Sequence, residues 1–267
     1  MANGDRTSPR VALAAVLALL LLVGALWALV VVDFRQASAG DSSAAASTTS
    51  SPTSSTTSST SSPTRAEGEW SIGDARKAVP RDGSRTLVLG DSTGDGYDEW
   101  VHLWAKAEGL PIATGRSEAE SGYESESPET RVWSGSAPDA TAAYPVERSD
   151  EIWPSVDPGL VVLSFGHAQE SPDEATKQLE ALRVDIADRV EQAPIVVLLQ
   201  NPSADDADAD MREAIAARAE EAGLPTIDIA TAFEDSGMPK ADLRLDAFHP
   251  SGAGSQLWAE TVAKALG

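Results

Sequence analysis

Apolar residues fall along this chain in three kinds of pattern, and each predicts a different element. The first is an unbroken run, Val11 to Val32 ("VALAAVLALLLLVGALWALVVV"), 22 residues without a charge. At about 1.5 Å rise per residue such a run spans a hydrocarbon core of about 30 Å, so it reads as a transmembrane helix. The second pattern is the short apolar run bounded by glycine, proline or polar residues: "RTLVLGDS" (85–92), "GLVVLSFG" (159–166), "APIVVLLQNP" (193–202) and "PTIDIATAF" (225–233). Runs of this length and β-branched content predict buried strands. The third is amphipathic spacing, in "YDEWVHLWAKAEG" (97–109, ended by Gly109), in the segment from Ser171 to about Glu191, in "DMREAIAARAEEAG" (210–223) and in "SGAGSQLWAETVAKALG" (251–267). Ser171 and Glu174 have the spacing of a capping box, with Pro172 at the first helical position. Strands alternating with helices from about residue 67 to 267 predict an α/β domain, a sheet with crossover helices. The segment 117–149 is polar and irregular, with one short strand expected near Arg131–Ser134.

Composition divides the chain further. Residues 33–66 are mostly Ser, Thr and Ala with two prolines, which leaves nothing to build a core and predicts a disordered linker. The expected organisation is therefore a cytoplasmic tail (1–10), a membrane anchor (11–32), a linker (33–66) and one folded domain (67–267). Arg6 and Arg10 before the apolar run, against Asp33 and Arg35 after it, favour a cytoplasmic amino terminus and an extracytoplasmic domain at the cell membrane. A cleaved signal peptide competes, because "ASAG" at 37–40 looks like a cleavage site and would make the protein secreted; the length of the run, against about 7–15 residues for a signal peptide, favours a retained anchor. There is no cysteine, which excludes disulfides and thiolate metal sites. The net charge of −22 argues against a nucleic-acid partner, against docking on an anionic bilayer surface and against a polyanionic substrate.

Two stretches carry candidate chemistry. In "TLVLGDSTGDG" (86–96) an apolar strand runs straight into Gly90-Asp91-Ser92 and a glycine-spaced turn. A strand ending in such a turn presents a side chain at the carboxyl edge of a sheet, where ligands bind; alternatively, Ser92 merely makes the turn and caps the following helix. In "LDAFHPSGAG" (245–254), Asp246 and His249 lie three apart on a loop before the last helix. A serine nucleophile needs a base to take its proton, and the base needs a partner that fixes its tautomer. Asp-x-x-His supplies both, although by itself the motif is a weak signal.

Together, Gly90-Asp91-Ser92 and Asp246-x-x-His249-Pro250 give residues 84 to 267 a resemblance to the SGNH or GDSL hydrolase family. The resemblance implies a flavodoxin-like three-layer α/β/α sandwich with a central parallel sheet. It implies a serine hydrolase in which Ser92 attacks an ester carbonyl, His249 is the general base and Asp246 orients it, with no cofactor. The middle blocks fit less well. The family's Gly-x-Asn-Asp aligns Gly166 with its glycine but Ala168 with the asparagine that would donate to the oxyanion. The family's glycine-containing turn aligns near Pro138-Asp139, and proline has no N–H to give. The oxyanion-hole candidates left are Gly135, Asp139, His167, Gln169 and Asn201.

Other features have simpler readings. "DDADAD" (205–210) lacks the glycine and bidentate glutamate of an EF-hand, and acids at a helix amino terminus have a structural reason. Three histidines, no cysteine and no H-x-x-x-H argue against a zinc site. His102 reads as structural, and Trp100 and Trp104, one turn apart, as core. The expectation is a membrane-anchored esterase or deacylase acting on an acylated envelope glycan or a small ester, with acyl transfer as a variant. The alternative is a non-catalytic envelope protein that binds glycan or a partner through a degenerate hydrolase site.

Overall fold

The structure, a computed structural model, describes residues 69–79, 83–115 and 122–267. The expected cytoplasmic tail, membrane span and Ser/Thr-rich linker lie outside the described residues. Among the described residues, seven strands form one sheet: β1 (Thr86–Gly90), β2 (Ile112–Gly115), β3 (Tyr123–Glu124), β4 (Val132–Ser134), β5 (Leu160–Ser164), β6 (Ile195–Leu199) and β7 (Thr226–Asp228). Their order is β3-β2-β4-β1-β5-β6-β7, and every pairing is parallel except β2 with β3. Strands β4-β1-β5-β6-β7 follow the doubly wound order in which the second strand lies beside the first and the rest run outward on its other side. In that topology the crevice opens between the first and third strands, here β1 and β5, at their carboxyl ends.

The apolar runs became strands because both of their faces are covered. Leu87, Leu89, Val161, Leu163, Ile195 and Val197 point to one side, where they meet α5 (Pro172–Arg189) and α6 (Ala209–Glu221) through Leu179, Leu182, Ile186 and Ile215. Val88, Leu160, Val162, Val196 and Leu198 point to the other, against α1 (Ile72–Ala78), α2 (Trp100–Ala107), α7 (Ile229–Asp235) and α8 (Gly252–Leu266). On that second side Trp100 and Trp258 stack face to face at 5.5 Å. Both are fully buried, as is Trp104, so the expected core role of Trp100 and Trp104 holds. Short helices α3 (Tyr144–Glu147) and α4 (Ser149–Ile152) occupy the end of the segment expected to be irregular.

Several local expectations need correction. The run 225–233 is not one strand: β7 stops at Asp228, whose carboxylate accepts from Thr231 N–H at 2.8 Å and caps α7. Ile229 and Phe233, both buried, have the four-residue spacing of a helix face, which overrides the β-branched content. The Ser171 hydroxyl does accept from Glu174 N–H at 3.2 Å, but the Glu174 carboxylate reaches the N–H of Glu170 instead of closing the box on Ser171. A closed capping box occurs instead at Ser71 and Asp74, opening a helix that the apolar pattern did not indicate. Nor did it indicate β2. Gly109 ends α2 as expected, at φ +67°, where only glycine is unstrained.

The last helix is seated on a glycine for a steric reason. A β-carbon on Gly254 would lie 2.1 Å from the Leu243 carbonyl oxygen, and that carbonyl accepts the Ser251 N–H at 2.9 Å. Gly254→Ala is expected to lose about 1–3 kcal/mol of stability or more by overpacking, read as a lowered urea midpoint. An unchanged midpoint would show that the 243–251 segment is not fixed by this contact.

Candidate active site

The strand β1 ends at Gly90, where a β-carbon would lie 2.9 Å from the backbone oxygen of Ser164 on β5. The chain then turns sharply. Asp91 is fully buried, and one of its carboxylate oxygens accepts from the Thr93 N–H and hydroxyl at 3.1 and 2.8 Å. Ser92 projects from this turn half-buried. It does not cap the next helix, which begins only at Trp100. Its hydroxyl lies 2.9 Å from Nε2 of His249 instead.

His249 comes from the loop before α8. Asp246 is the organiser of that loop: one carboxylate oxygen accepts the N–H groups of Phe248 and His249 at 3.0 and 2.9 Å, and the other lies 2.7 Å from His249 Nδ1. A turn of this kind, an aspartate bonding the backbone two and three residues on, needs only the short Asx side chain. Thus Ser92, His249 and Asp246, the first and last separated by more than 150 residues of sequence, form one hydrogen-bonded chain.

Charge around that chain is negative. Burial opposes ionisation of Asp246, but the His249 N–H, the His249 ring and the Phe248 N–H outweigh it and hold the carboxyl down at about 2. Burial likewise opposes protonation of His249, and the hydrogen bond and charge of Asp246, with the charges of Glu99 and Asp91, raise it above the usual histidine range. Glu99 is pushed up to about 7, chiefly by burial, although the Gly96 N–H at 2.7 Å favours its ionised form. Asp95 is also raised, by burial first.

The five oxyanion candidates lie as follows. The Gly135 N–H donates to the Val88 carbonyl at 2.8 Å and so belongs to the β4–β1 pairing. Asp139 is exposed at a turn with φ +53°. Gln169 lines a small apolar cavity with Ala142, Leu163, Phe165 and Ile215. The His167 ring sits 3.1 Å from the Asp208 carboxylate and 3.4 Å from the Asn201 carbonyl oxygen. The Asn201 side-chain amide donates to the carbonyls of Phe248 at 2.9 Å and Pro202 at 3.4 Å. His102 is buried, 3.0 Å from the Thr114 hydroxyl, with burial lowering its pKa.

One polar residue escaped the sequence reading. Gln200, at the end of β6, is fully buried. Its amide donates to Asp91 at 2.9 Å and to the Ser164 carbonyl at 3.1 Å, and its carbonyl accepts the His167 N–H at 3.0 Å. It ties the turn after β1 to the turn after β5. A β-carbon on Gly166 would lie 2.8 Å from the Gln200 carbonyl oxygen, so the glycine makes room for this bond. The only signal in the sequence was a glutamine ending an apolar strand.

Residues 88–257 match the GDSL-like Lipase/Acylhydrolase family. Comparison with curated protein sequences gives no match. Among solved structures, the lipase/acylhydrolase from Enterococcus faecalis is similar at 18% identity and TM-score 0.51, over 67% of this chain and 94% of that one. A catalytic mutant of an acetylxylan esterase from Geobacillus stearothermophilus is similar at 17% identity and TM-score 0.52, over 69% and 94%. A member of the lipolytic protein G-D-S-L family from Veillonella parvula is similar at 16% identity and TM-score 0.50, over 68% and 97%. At such identities the likeness is one of fold.

Proposed function

This chain belongs to the GDSL-like lipase/acylhydrolase family, and on that basis we propose that it is a serine esterase in which Ser92 is the nucleophile, His249 the general base and Asp246 the residue that orients the base. The observation that carries this reading is the unbroken chain of contacts from the Ser92 hydroxyl through His249 to Asp246, at 2.9 and 2.7 Å.

In the proposed reaction the Ser92 oxygen forms a bond to the ester carbonyl carbon while its proton passes to His249 Nε2. The imidazolium is stabilised by Asp246, which stays ionised, and then gives its proton to the departing alkoxide. Water repeats the cycle on the acyl-enzyme, with His249 again the base. The acidic surroundings help the imidazolium and hinder an oxyanion. The Gly135 N–H is committed to the sheet, and Ala168 stands where the family has an asparagine donor. A missing donor is worth about 3–4 kcal/mol in the transition state, so slow turnover of unactivated esters is expected.

The pH profile follows from the charges on His249. As a base it works only when neutral, and Asp246, Glu99 and Asp91 favour its protonated form. The rate should therefore rise with pH, with a midpoint above the ordinary histidine value of about 6.5, and Asp246→Asn should move that midpoint down. Glu99, pushed up to about 7, faces His249, so the titrations of the two groups are coupled. Measuring kcat/KM for an aryl acetate from pH 5 to 9 checks this; a midpoint that Asp246→Asn leaves in place would remove Asp246 from its assigned role.

For the substrate we propose an acylated envelope glycan or a small ester, reached by a domain held at the cell membrane on the Ser/Thr-rich linker. The acetylxylan esterase among the similar folds supports an acetylated sugar. Fluorophosphonate labelling of the full-length chain, followed by acetate release from acetylated xylo-oligosaccharides and from an aryl acetate, tests the whole reading. Adduct on Ser92 with faster release from the sugars is the expected outcome. Sugars no faster than the aryl ester would remove the glycan. A folded chain that takes no label would favour the binding-protein reading, for which the committed Gly135 N–H is the supporting observation.

A further inference from the structure

The loop that carries His249 is poorly held by packing. Leu245 is 77% and Phe248 44% exposed, and Asp246 and Ala247 are exposed beside them. Its internal bonds, centred on Asp246, fix its shape but not its place relative to Ser92. Three bonds tie it to the segment after β6: the Arg244 guanidinium donates to the Ser203 carbonyl, the Ala247 oxygen accepts the Ala204 N–H at 2.6 Å, and the Phe248 oxygen accepts the Asn201 amide at 2.9 Å, the last being the one made by a buried side chain.

Asn201 is fully buried, and its orientation is determined. A carbonyl only accepts, so the NH2 end faces Phe248 and the oxygen faces His167 Nε2, 3.4 Å away. His167 Nδ1 lies 3.1 Å from Asp208 Oδ2. Asp208 is itself fixed by Arg212 at 2.6 Å and by the Ser203 N–H and hydroxyl at 3.0 and 2.7 Å. A carbonyl or carboxylate oxygen thus lies beside each ring nitrogen of His167. Its ring also packs against Phe248, with centroids 5.9 Å apart.

We propose that Asn201, oriented by His167 and Asp208, is a positioning residue that sets where the His249 loop sits relative to Ser92. This rests on the esterase reading for its effect on rate but not for its effect on geometry. It also accounts for the second His–Asp pair in the chain, which the reaction itself does not use. "DDADAD" then has a use for one of its acids, Asp208, on the side facing His167.

Asp246 travels with His249 on the loop, whereas Asp91, Asp95 and Glu99 belong to the nucleophile side. A displaced loop should therefore take His249 away from the charges of those three and out of the burial that opposes its protonation, and so shift its titration midpoint, an effect that mere loss of stability does not produce. The experiment is Asn201→Ala in the full-length chain, with two readouts: kcat and KM for an aryl acetate, and the NMR titration of the His249 Cε1–H, one of three histidine signals. The expected result is a fall in kcat of about 10–100-fold with KM within about threefold, together with a shifted His249 midpoint. Should Asn201→Ala not fold, His167→Gln, which keeps an amide N–H for Asn201 but cannot also reach Asp208, should show a smaller change of the same sign. A folded variant whose His249 midpoint equals that of the wild type overturns the inference, whatever happens to kcat. A wild type that turns over no ester overturns the esterase reading instead and leaves the titration to judge the clamp.

Discussion

Ser92→Ala should lower kcat for an aryl acetate by about 10⁴-fold or more, and His249→Ala should fall to nearly the same residual rate. The two losses should not add, because the hydroxyl is a poor nucleophile without the base 2.9 Å away and the base has nothing to deprotonate without the hydroxyl. Asp246→Asn should cost less, since the Asp246 side chain is about half exposed and water can take over part of its contact with Nδ1. Steady-state rates on the three single variants and the Ser92/His249 double variant, each with its thermal midpoint as a folding control, check the order. A double variant much slower than either single one would mean that the two residues act separately. A Ser92→Ala enzyme at full rate would place the chemistry elsewhere in the molecule.

The second large effect should come from a residue that takes no part in the chemistry. Gln200→Met keeps the volume of the side chain and removes its hydrogen bonds. Asp91, 1% exposed, then loses the donor to one carboxylate oxygen, and the His167 N–H loses its acceptor. Each buried group left without a partner costs about 1–3 kcal/mol, more for a charged one, so a total of about 2–6 kcal/mol is expected for the two, or roughly 4–24 °C in the thermal midpoint for a domain of this size. The turn bearing Ser92 is built on Asp91, so the labelling rate should fall as well. A midpoint within about 1 °C of the wild type, well inside the shift expected for 1 kcal/mol, would show that water replaces the amide and that the two turns are not tied together through it.

How far the chain could be read in advance differed from element to element. Strands β1, β5 and β6 were legible because a strand buried on both faces must be apolar at every position, and such runs stand out. Ser92, Asp246 and His249 could be singled out because the turn after β1 and the Asx-type loop before α8 each have local sequence requirements: a glycine against the neighbouring strand, and an aspartate three residues before the histidine. Strand β2 and helix α1 were not legible, being too short for a period to repeat. The segment 225–233 misled because Ile227 supports the strand while Ile229 and Phe233 support the helix, and only the cap at Asp228 separates them.

The oxyanion candidates show the other limit. Glycine, histidine, glutamine and asparagine near the right strand ends are all chemically able to donate, and nothing local says where those donors go. The Gly135 N–H goes to Val88, the Asn201 amide to Phe248, and Gln169 to an apolar cavity.

By itself, then, the sequence determined the alternation of strands and helices, the acidic and cysteine-free character of the chain, and which residues to propose as nucleophile, base and orienting acid, since each is written in neighbours no more than a few positions away. Only the tertiary structure decided that Ser92 and His249 meet, that Gln200 joins Asp91 to the turn after β5, and that the Asn201 amide reaches the Phe248 carbonyl. Those contacts join residues 33 to 157 positions apart. Hydrogen bonds of that kind depend on where the sheet brings its strand ends together, and no local pattern encodes them.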